Sequence, residues 1–570
     1  MTATTTANTL SVLLAVSATT TMLVSAEQAP KELPWSAEKC AELGYSEKFD
    51  ACAEIEFCEG DAYGGGYNGG RRLNRQLRAM DSMEMYGEGQ NEGEVEVWDE
   101  DVYYDENGNS ITEDVEVGLY VEDEGAGRPA TFGWRIPGEA CAWPGPLIRM
   151  SRGKRYGLFV SGSGNEETIT NIHTHGLHVP GHGNADDVTR SVSGSDVIIY
   201  EYHIPSYHMG GTHWYHSHWH HNSEHHVGGG AFGMLIVDDG ENVGEGVDAG
   251  VEAFLSNEKI LIASNHEDIY GPWIVNGVQR EQYDFNVDEW YRLRILIVNL
   301  DDHSSSRTIS FGDECEAHAI AHDGMFRFQV PAAASQTTFS IGDASRLDVA
   351  IRCSSDSTIS IYDEVVASIK TSSGNTNSLP SPFTSSGEAW SSTRPGYLVD
   401  LRDVEADGAF SIKLDETNIN EVQYSLEKPL CAGGTDFKFD TIQEWTLSLA
   451  YHPFHLHIYP MQVVSQNGEC GENHEYGEYY DTITIKHSYR RLYTRKMGKC
   501  KVRLAFRDVG GKTLMQCHVF KHGDQGSMAF IHVVGGPAQE NEPRVHKCAS
   551  EPCDEPVNIP LCEGGSAEDY

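Results

Sequence analysis

The sequence predicts an all-β protein built from consecutive β-sandwich domains, and three observations support that prediction. The chain of 570 residues is long enough for about three or four domains rather than one core. It contains 58 glycines and 10% aromatic residues, a composition typical of short strands joined by many turns. Short runs of β-branched and aromatic residues recur at even spacing, such as DVIIYEYHI and YRLRILIVNL.

The N-terminal segment predicts a secreted protein. Residues from Leu10 to Ala26 are mostly apolar, and the Val-Ser-Ala sequence at 24 to 26 fits a small-residue cleavage site. No lysine or arginine precedes the apolar run, which leaves an uncleaved anchor as the alternative. We therefore predict a signal peptide over residues 1–26 and an extracellular location. No later stretch of sequence is apolar enough to span a bilayer.

The cysteine count agrees with an oxidising compartment. There are 13 cysteines, and an even number remains when Cys517 is set aside as a candidate metal ligand. An even remainder behind a secretory signal predicts disulfide bonds, although the spacing does not determine how the cysteines pair.

Composition divides the rest of the chain into five further segments. The glycine-rich stretch EGDAYGGGYNGG and an acidic region precede the first clear strand pattern, and the clearest linker is the Ser/Pro/Gly-rich stretch 372–396. The predicted segments after the signal are a cysteine-containing, Gly-rich and acidic extension at 27–110, β-sandwich domains at 111–245, 246–400 and 401–537, and a cysteine-containing tail at 538–570.

The charge of the chain excludes some classes of partner. A formal net charge of −45 argues against binding to nucleic acid or to anionic membranes. It could attract cations, including metal-ion substrates, or simply keep the protein soluble.

Histidines two residues apart recur along the chain. NIHTHGLH, HWYHSHWHH, HPFHLH and QCH begin at residues 171, 213, 452 and 516. In a strand, residues i and i+2 face the same side, so each pair can present two imidazoles to one pocket. One pair alone is weak evidence, but three pairs and the close variant QCH, all beside short β runs, predict metal binding. The three pairs are His173 with His175, His216 with His218, and His455 with His457.

Cys517 can connect two metal centres. On a strand its side chain faces opposite to that of His518, so the two residues can bind different metal ions about 10 Å apart, joined by a short covalent path. His522 can fold back to the sulfur, and His452 precedes a proline that forces a turn. His452, Cys517 and His522 make a His₂Cys set, the ligand type of blue-copper electron-transfer sites.

These motifs resemble those of the multicopper oxidases, the family that includes laccases, ascorbate oxidase and ferroxidases. The family motifs are HxHG, HxH within WYHSH, HPxHxH and HCHxxxH; the chain has HTHG at 173, HWYHSH at 213, HPFHLH at 452 and QCHVFKH at 516. AWPGPLIRM, RLRILIVN and YYDTITI are similar to stretches of the family's three domains, and the resemblance covers about residues 110–537. It implies three consecutive cupredoxin-like Greek-key domains between cysteine-containing extensions.

The resemblance implies up to four copper ions, of types 1, 2 and 3. The type 1 copper would take His452, Cys517 and His522. The type 2 copper would take His173 and His455.

The type 3 coppers would take the remaining motif residues. One would take His175, His216 and His518. The other would take His218, His457 and the residue before the cysteine, which is histidine in the family and Gln516 here.

Gln516 departs from the family pattern at a ligand position. Its amide oxygen is neutral and poorly basic, whereas copper prefers imidazole. His220 continues the i+2 series from His216 and His218 and is one conceivable substitute. The alternative is that the surplus histidines of this region lie in solvent or bind adventitious metal.

The axial position of the type 1 site is a second departure. The family places Met, Leu or Phe five residues after the second type 1 histidine, where this chain has Ser527 followed by Met528. A serine hydroxyl is a hard, weak ligand for this copper, and Gly526 gives the backbone freedom for a shift. We predict that Met528 is the axial ligand, with a three-coordinate site as the alternative.

Two other functions compete with an oxidase. HTHGLH also resembles the HxHxxH motif of zinc metallo-hydrolases, but Leu177 stands where those proteins usually have aspartate, and that assignment leaves Cys517 unexplained. The stronger alternative is a secreted copper-binding or electron-relay protein whose trinuclear cluster is incomplete because of Gln516.

The resemblance implies that a reductant gives single electrons to the type 1 copper. The electrons would pass through Cys517 to His518, and four of them would reduce O₂ to two waters. Carboxylates would supply protons, and Asp508 and Asp481 are the candidates. The partners that the resemblance implies are O₂ and a phenolic or metal-ion reductant. The acidic charge favours a cation such as Fe²⁺ or Cu⁺ and argues against nucleic acid or membrane as a partner.

Overall fold

The structure is a computed structural model of the chain. It describes residues 29–59, 132–244, 247–265, 272–300, 306–373, 380–426, 436–449, 452–466, 469–471, 473–485, 498–536, 545–546 and 561–562. The predicted signal peptide, the glycine-rich and acidic stretches and most of the C-terminal tail lie outside the described residues.

Two four-stranded sheets form the first sheet pair, with strand orders β2-β1-β4-β6 and β3-β8-β7-β5. Apolar side chains from both sheets, among them Phe57, Leu158 and Leu235, pack into one core. The strands are β1 Ala51–Glu59, β2 Phe132–Arg135, β3 Ile148–Met150, β4 Lys154–Ser161, β5 His173–His175, β6 Val197–Ile204, β7 Gly211–His216 and β8 Phe232–Val237.

The second sheet pair has a six-stranded sheet of order β10-β9-β12-β18-β14-β15 and a five-stranded sheet of order β11-β20-β19-β13-β17, with β16-β21 beside them. Its core includes Leu293, Val349 and Ile359. The strands are β9 Glu258–Ser264, β10 Ile274–Val275, β11 Glu281–Asn286, β12 Tyr291–Val298, β13 Ser306–Phe311, β14 Cys315–His322, β15 Met325–Phe326, β16 Gln329–Val330, β17 Thr338–Gly342, β18 Arg346–Cys353, β19 Ser357–Ile361, β20 Glu364–Ser372 and β21 Trp390–Ser391.

The third sheet pair joins sheets of order β22-β24-β29-β26-β27 and β23-β31-β30-β25-β28 around a core that includes Trp445 and Phe454. A two-stranded β32-β33 sheet follows. The strands are β22 Gly408–Lys413, β23 Asp436–Lys438, β24 Thr441–Leu449, β25 Phe454–Leu456, β26 Met461–Val463, β27 Tyr479–Tyr480, β28 Thr482–Ile483, β29 Gly498–Phe506, β30 Gly511–Cys517, β31 Met528–Val534, β32 Val545–His546 and β33 Leu561–Cys562.

Helices are short throughout the part of the chain that is described. The α-helices are Ala37–Glu42, Ser223–Gly228, Ala249–Ser256 and Phe520–Asp524, and the 3₁₀-helices are Gly240–Asn242 and Gly396–Leu398. None of these helices has the length and apolar character needed to cross a membrane. The all-β fold class predicted from the sequence is confirmed.

The start of the predicted extension belongs to the first sheet pair. β1 pairs in parallel with β4, with Ala51 opposite Tyr156, and antiparallel with β2. Ala53, Ile55 and Phe57 alternate along β1 and are all buried in the core. Placing residues 27–110 outside the first sandwich is therefore wrong for residues 51–59, because the period-2 pattern of ACAEIEFCE is that of an inner strand.

Disulfide bonds form as the cysteine count predicts. Cys517 is free and buried among the described cysteines. The bonded pairs are Cys40–Cys52, Cys58–Cys141, Cys315–Cys353 and Cys470–Cys500. The second pair ties β1 to the segment between β2 and β3, which adds to the evidence that β1 belongs to the first sheet pair.

Candidate metal centre

The histidine motifs meet where the first and third sheet pairs contact each other. β5 pairs antiparallel with β7, and β25 pairs antiparallel with β30, so each sheet pair brings two motifs side by side. Rings from the two sheet pairs then stack. His173 lies over His457 with 3.8 Å between ring centroids, and His175 lies over His455 at 3.6 Å.

His452, Cys517 and His522 form a compact buried triangle. The Cys517 sulfur lies 3.4 Å from His452 Nδ1 and 3.5 Å from His522 Nδ1, and the two nitrogens are 3.1 Å apart. A point equidistant from these atoms is about 2 Å from each, close to ordinary metal–nitrogen and metal–sulfur distances. Burial raises the pKa of the Cys517 thiol, so a thiolate here requires a bound cation. The triangle fits a metal of the blue-copper kind.

The seven histidines that the resemblance assigns to the type 2 and type 3 coppers are all buried and surround a second region. They are His173, His175, His216, His218, His455, His457 and His518. Three-donor groups of closely spaced ligand atoms occur at His173/His175/His455, His175/His216/His518 and His173/Asp186/His457. Burial lowers the pKa of these imidazoles, which are therefore neutral. Neutral imidazoles are the protonation state that binds metals.

Many ring nitrogens of these histidines have no hydrogen-bond partner among the described residues. They are Nε2 of His173, His216, His218, His455 and His457, Nδ1 of His175, and both nitrogens of His518. Leaving so many buried polar atoms unsatisfied costs free energy, which a bound metal would recover. The chemistry of the donor set therefore fits the copper ions that the sequence motifs imply.

Outer hydrogen bonds fix the tautomers of several of these rings. His173 Nδ1 donates to Asp186 Oδ2 at 2.7 Å, and His216 Nδ1 donates to the Ser217 carbonyl at 2.9 Å. His455 Nδ1 donates to the Asp481 carbonyl at 3.0 Å. Because one nitrogen of each ring donates outwards, the other presents its lone pair to the site.

Asp186 is a site residue that sequence reasoning did not identify. Its carboxylate accepts from His173 Nδ1, from Thr174 N at 2.7 Å and from Thr174 Oγ1 at 2.9 Å. Burial raises the pKa of Asp186 to about 7, so it can hold or release a proton near neutral pH. The sequence feature that could have indicated Asp186 is the Asp186-Asp187 pair, which follows the HTHG motif.

Asp481 and Asp508, the two predicted carboxylates, lie in different places. Asp481 is buried and its Oδ1 accepts from His175 Nε2 at 3.1 Å. Asp508 Oδ2 lies 3.5 Å from His178 Nε2, and its side chain is 30% exposed. Asp481 therefore contacts a motif histidine directly, and the proton-supply role of both residues stays a prediction.

Gln516 occupies the place where the family pattern has its last histidine. It is buried, lies opposite His455 in the β25–β30 pairing, and lines one small cavity with His216, His218 and His518. None of the three-donor groups among the described residues includes His218. The predicted second type 3 site is thus the least complete of the four.

His220, the conceivable substitute ligand, packs against other aromatic rings. Its ring lies 3.9 Å from that of His221 and makes an edge contact with Tyr424. No three-donor group in the described segments contains His220. The geometry gives no support to His220 as a substitute ligand.

The register around Cys517 argues against Met528 as the axial ligand. Met528 lies directly opposite Gln516 in the β30–β31 pairing, so its side chain is on the face of the sheet away from the Cys517 sulfur. It packs with Tyr424, Leu514 and Phe530. The Ser527 hydroxyl donates to the Asp415 carbonyl at 2.6 Å.

Two residues of the second sheet pair also reach the site and were not predicted. Arg346, on β18, donates from both terminal nitrogens to the Asp481 carboxylate, at 3.0 and 2.5 Å. Asp323 Oδ2 accepts from the backbone nitrogen of Asp481 at 3.1 Å. Burial and the Asp481 charge raise the pKa of Asp323. Neither contact could be predicted from the sequence, because both depend on how the sheet pairs pack.

The fold and the two donor regions define a β-sandwich metalloprotein with a His₂Cys site beside a histidine-rich cluster. A family model described as multicopper oxidase matches residues 135–242, and a second with the same description matches residues 415–535. These segments contain every motif histidine and Cys517. The resemblance to the multicopper oxidase family that the motifs predict is confirmed over these two segments. This similarity supports copper-dependent oxidation with O₂ as the acceptor.

Solved structures with the same fold include bacterial members of the family. A laccase-like multicopper oxidase, CueO from Ochrobactrum sp., matches with a TM-score of 0.55 and 20% identity over 71% of this chain and 93% of that one. A Campylobacter jejuni multicopper oxidase, described as a metallo-oxidase, matches with a TM-score of 0.55 and 18% identity over 70% and 87%. A Pediococcus acidilactici multicopper oxidase matches with a TM-score of 0.55 and 19% identity over 71% and 84%. No curated protein matches the sequence.

Proposed function

We propose that the protein is a secreted copper-dependent oxidase whose residues would hold a type 1 copper, for single-electron transfer from a reductant, and a trinuclear copper cluster, for reduction of O₂. His452, Cys517 and His522 would hold the type 1 copper. Bound copper would supply the one-electron redox chemistry at both sites. The other motif histidines would hold the cluster.

The observation that carries the proposal is the position of two adjacent residues. Cys517 belongs to the donor group with His452 and His522, and His518 belongs to the group with His175 and His216. One peptide unit therefore joins the two regions covalently, which favours electron transfer between them over two independent binding sites.

The protein's own residues would control protons at the cluster. Asp186 lies against His173, and its pKa of about 7 suits proton exchange at neutral pH. Asp481 lies against His175 and is held by Arg346. Asp508 is placed closer to solvent and could take protons in at the His178 side.

Two classes of reductant fit the site. The relatives include a laccase-like enzyme with activity towards lignin model compounds and a metallo-oxidase, which suggests a phenol or a metal ion. Burial lowers the pKa of His452 to about 4, and the negative charges of Glu416 and Asp415 partly oppose that effect. These carboxylates and the net charge of −45 favour a cationic reductant.

Gln516 supports a second function. With an incomplete type 3 site, the chain would be a secreted copper-binding or electron-relay protein that keeps its type 1 copper. In that case O₂ reduction would be absent although electrons still enter at Cys517.

Copper content and oxygen uptake distinguish the two functions. After reconstitution, the oxidase is expected to hold about three or four coppers per chain, to absorb intensely in the visible through a thiolate-to-Cu(II) transition, and to consume O₂ with a ferrous or phenolic reductant. The relay would hold about one or two coppers and consume no O₂. Cys517→Ser is the control, since it removes the visible absorption in either case. If the unmodified chain lacks that absorption, both functions are wrong.

A further inference from the structure

The second sheet pair takes part in the metal centre without supplying a ligand. None of the three-donor groups among the described residues includes a residue from β9 to β21. Arg346 of β18 nevertheless lies at the junction of all three sheet pairs. Its Nε donates to the Thr212 carbonyl on β7 at 3.1 Å, and its two terminal nitrogens bind the Asp481 carboxylate beside β28.

The Arg346–Asp481 ion pair is buried and rigidly held. Arg346 is 1% exposed and Asp481 is 3% exposed. The Arg346 guanidinium also donates to the Ala344 and Asp323 carbonyls, at 3.2 and 3.1 Å. With all its donors engaged, the planar guanidinium leaves the Asp481 carboxylate little freedom to rotate.

The fixed Asp481 carboxylate in turn orients the His175 ring through a hydrogen bond. Its Oδ1 accepts from His175 Nε2 at 3.1 Å, while His175 Nδ1 is buried with no partner among the described residues. A proton on Nε2 leaves the Nδ1 lone pair free to face His216 and His518, the other two members of its donor group. His175 thus differs from His173 and His216, which donate from Nδ1 and present Nε2.

The backbone beside His175 is fitted to the same ion pair. Gly176 has a φ of +94°, and a Cβ there would clash with the Arg346 guanidinium and lie 2.8 Å from Asp481 Oδ2. The backbone therefore passes directly over the Arg346–Asp481 ion pair, and this close approach fixes the position of the neighbouring His175 side chain.

We propose that Arg346 is a positioning residue for the copper held by His175, His216 and His518, and that it acts through Asp481 by fixing the tautomer of His175. The inference rests on the proposed function only in taking copper as the metal. The second sheet pair, which supplies no metal ligand, thereby controls the geometry of one type 3 copper site. Arg346 makes no described contact with the His452/Cys517/His522 site.

The test compares copper affinity in the full-length reconstituted protein. Copper is withdrawn with a chelator, and the visible thiolate absorption reports the type 1 site at each step. In Arg346→Gln, about one copper per chain is expected to leave at roughly 10- to 100-fold lower chelator concentration, with the visible absorption unchanged. Arg346→Lys keeps the charge but not the paired donors. The chelator concentration at which it loses this copper is expected to lie between those of Arg346→Gln and the unmodified chain, and it serves as the test if Arg346→Gln does not fold.

Arg292→Gln is the matched control. Arg292 is equally buried and donates to Asp348 from Nε and Nη2, at 2.9 and 2.6 Å, but contacts no motif histidine. Its chelator curve is expected to equal that of the unmodified chain. Adding Asp481→Asn to Arg346→Gln is expected to weaken copper binding no further, because both changes act on the same ring.

Three outcomes would overturn the inference. They are unchanged copper release in both Arg346 variants, the same selective release in Arg292→Gln, and loss of the visible absorption in parallel with the first copper. Oxygen uptake of the unmodified chain is measured separately. If it is absent, the oxidase function fails, while the chelator curves still decide the role of Arg346.

Discussion

At the scale of single residues, Gln516 is the position with the sharpest consequence. Changing it to histidine restores the imidazole that the family motif has beside His218 and His457. We expect Gln516→His to bind about one more copper per chain and to consume O₂ faster, because imidazole is the better copper ligand. The visible thiolate absorption should not change, since the side chains of residue 516 and Cys517 face opposite sides of β30.

The measurement is copper per chain by elemental analysis alongside oxygen uptake. Gln516→Asn, which keeps an amide, serves as the control and should gain no copper. An unchanged copper count in a folded Gln516→His protein would contradict the ligand assignment at this position.

A second prediction concerns Asp186. In Asp186→Asn the amide oxygen can still accept from Thr174, which places the amide nitrogen towards His173 Nδ1. A donor at that place favours a proton on Nε2 and removes the lone pair from the site. We expect copper binding at His173 to weaken by about 10- to 100-fold, as measured by chelator titration.

Asp508→Asn is the comparison for that experiment. Asp508 lies beside His178, which belongs to no three-donor group among the described residues, so copper affinity should stay unchanged. Slower oxygen uptake at full copper content would support the predicted role of Asp508 in proton supply, and unchanged uptake would argue against it.

At the scale of elements, the sequence predicted the strands well because each carries its own signal. Runs such as VIIYEYHI and YRLRILIV are β6 and β12, and the His-x-His pattern alone placed two imidazoles on one face of β5. β1 was missed because nearby cysteines suggested a separate extension. Arg346 and Asp323 were missed because nothing local distinguishes an arginine that reaches a distant site from one that does not.

β1 gives a prediction of stability. Phe57 is fully buried, and its ring lies 5.0 Å from that of Trp134 and 4.8 Å from that of His226. Phe57→Ala should lower the free energy of unfolding by about 3–5 kcal/mol, because it leaves a cavity in the first sheet pair. Tyr207→Ala, at a residue that is 45% exposed, should change it by less than about 0.5 kcal/mol.

Denaturant unfolding followed by tryptophan fluorescence measures both variants. If Phe57→Ala shifts the unfolding midpoint no more than Tyr207→Ala does, β1 is not an integral strand of the first sheet pair. Residues 51–59 would then belong to the extension predicted from the sequence.

At the scale of the whole molecule, partly buried ion pairs hold the second sheet pair against its neighbours. Glu258, at the start of β9, accepts from Arg294 Nε on β12 at 2.6 Å and pairs with Arg149 on β3 of the first sheet pair. Arg294 Nη1 also donates to Thr212 Oγ1 on β7 at 2.8 Å. Because the metal centre lies between the first and third sheet pairs, such contacts help to keep its two halves in register.

This arrangement makes a prediction about acid stability. Burial alone would raise the pKa of Glu258, but the charges of Arg294 and Arg149 outweigh it and lower the pKa to about 2. A carboxyl whose pKa is lower in the folded chain stabilises the fold above its ordinary pKa of 4.5, and that contribution disappears as the pH falls towards 2. The shift corresponds to about 3 kcal/mol at most.

Glu258→Gln isolates this contribution. The unmodified chain should be more stable than the variant above about pH 5, and the difference should shrink steadily between pH 4.5 and pH 2, where Glu258 becomes protonated in the unmodified chain as well. Free energies of unfolding from urea titrations at each pH give the comparison. A difference for Glu258→Gln that stayed constant with pH would mean that packing, rather than the charge between the first two sheet pairs, accounts for its effect.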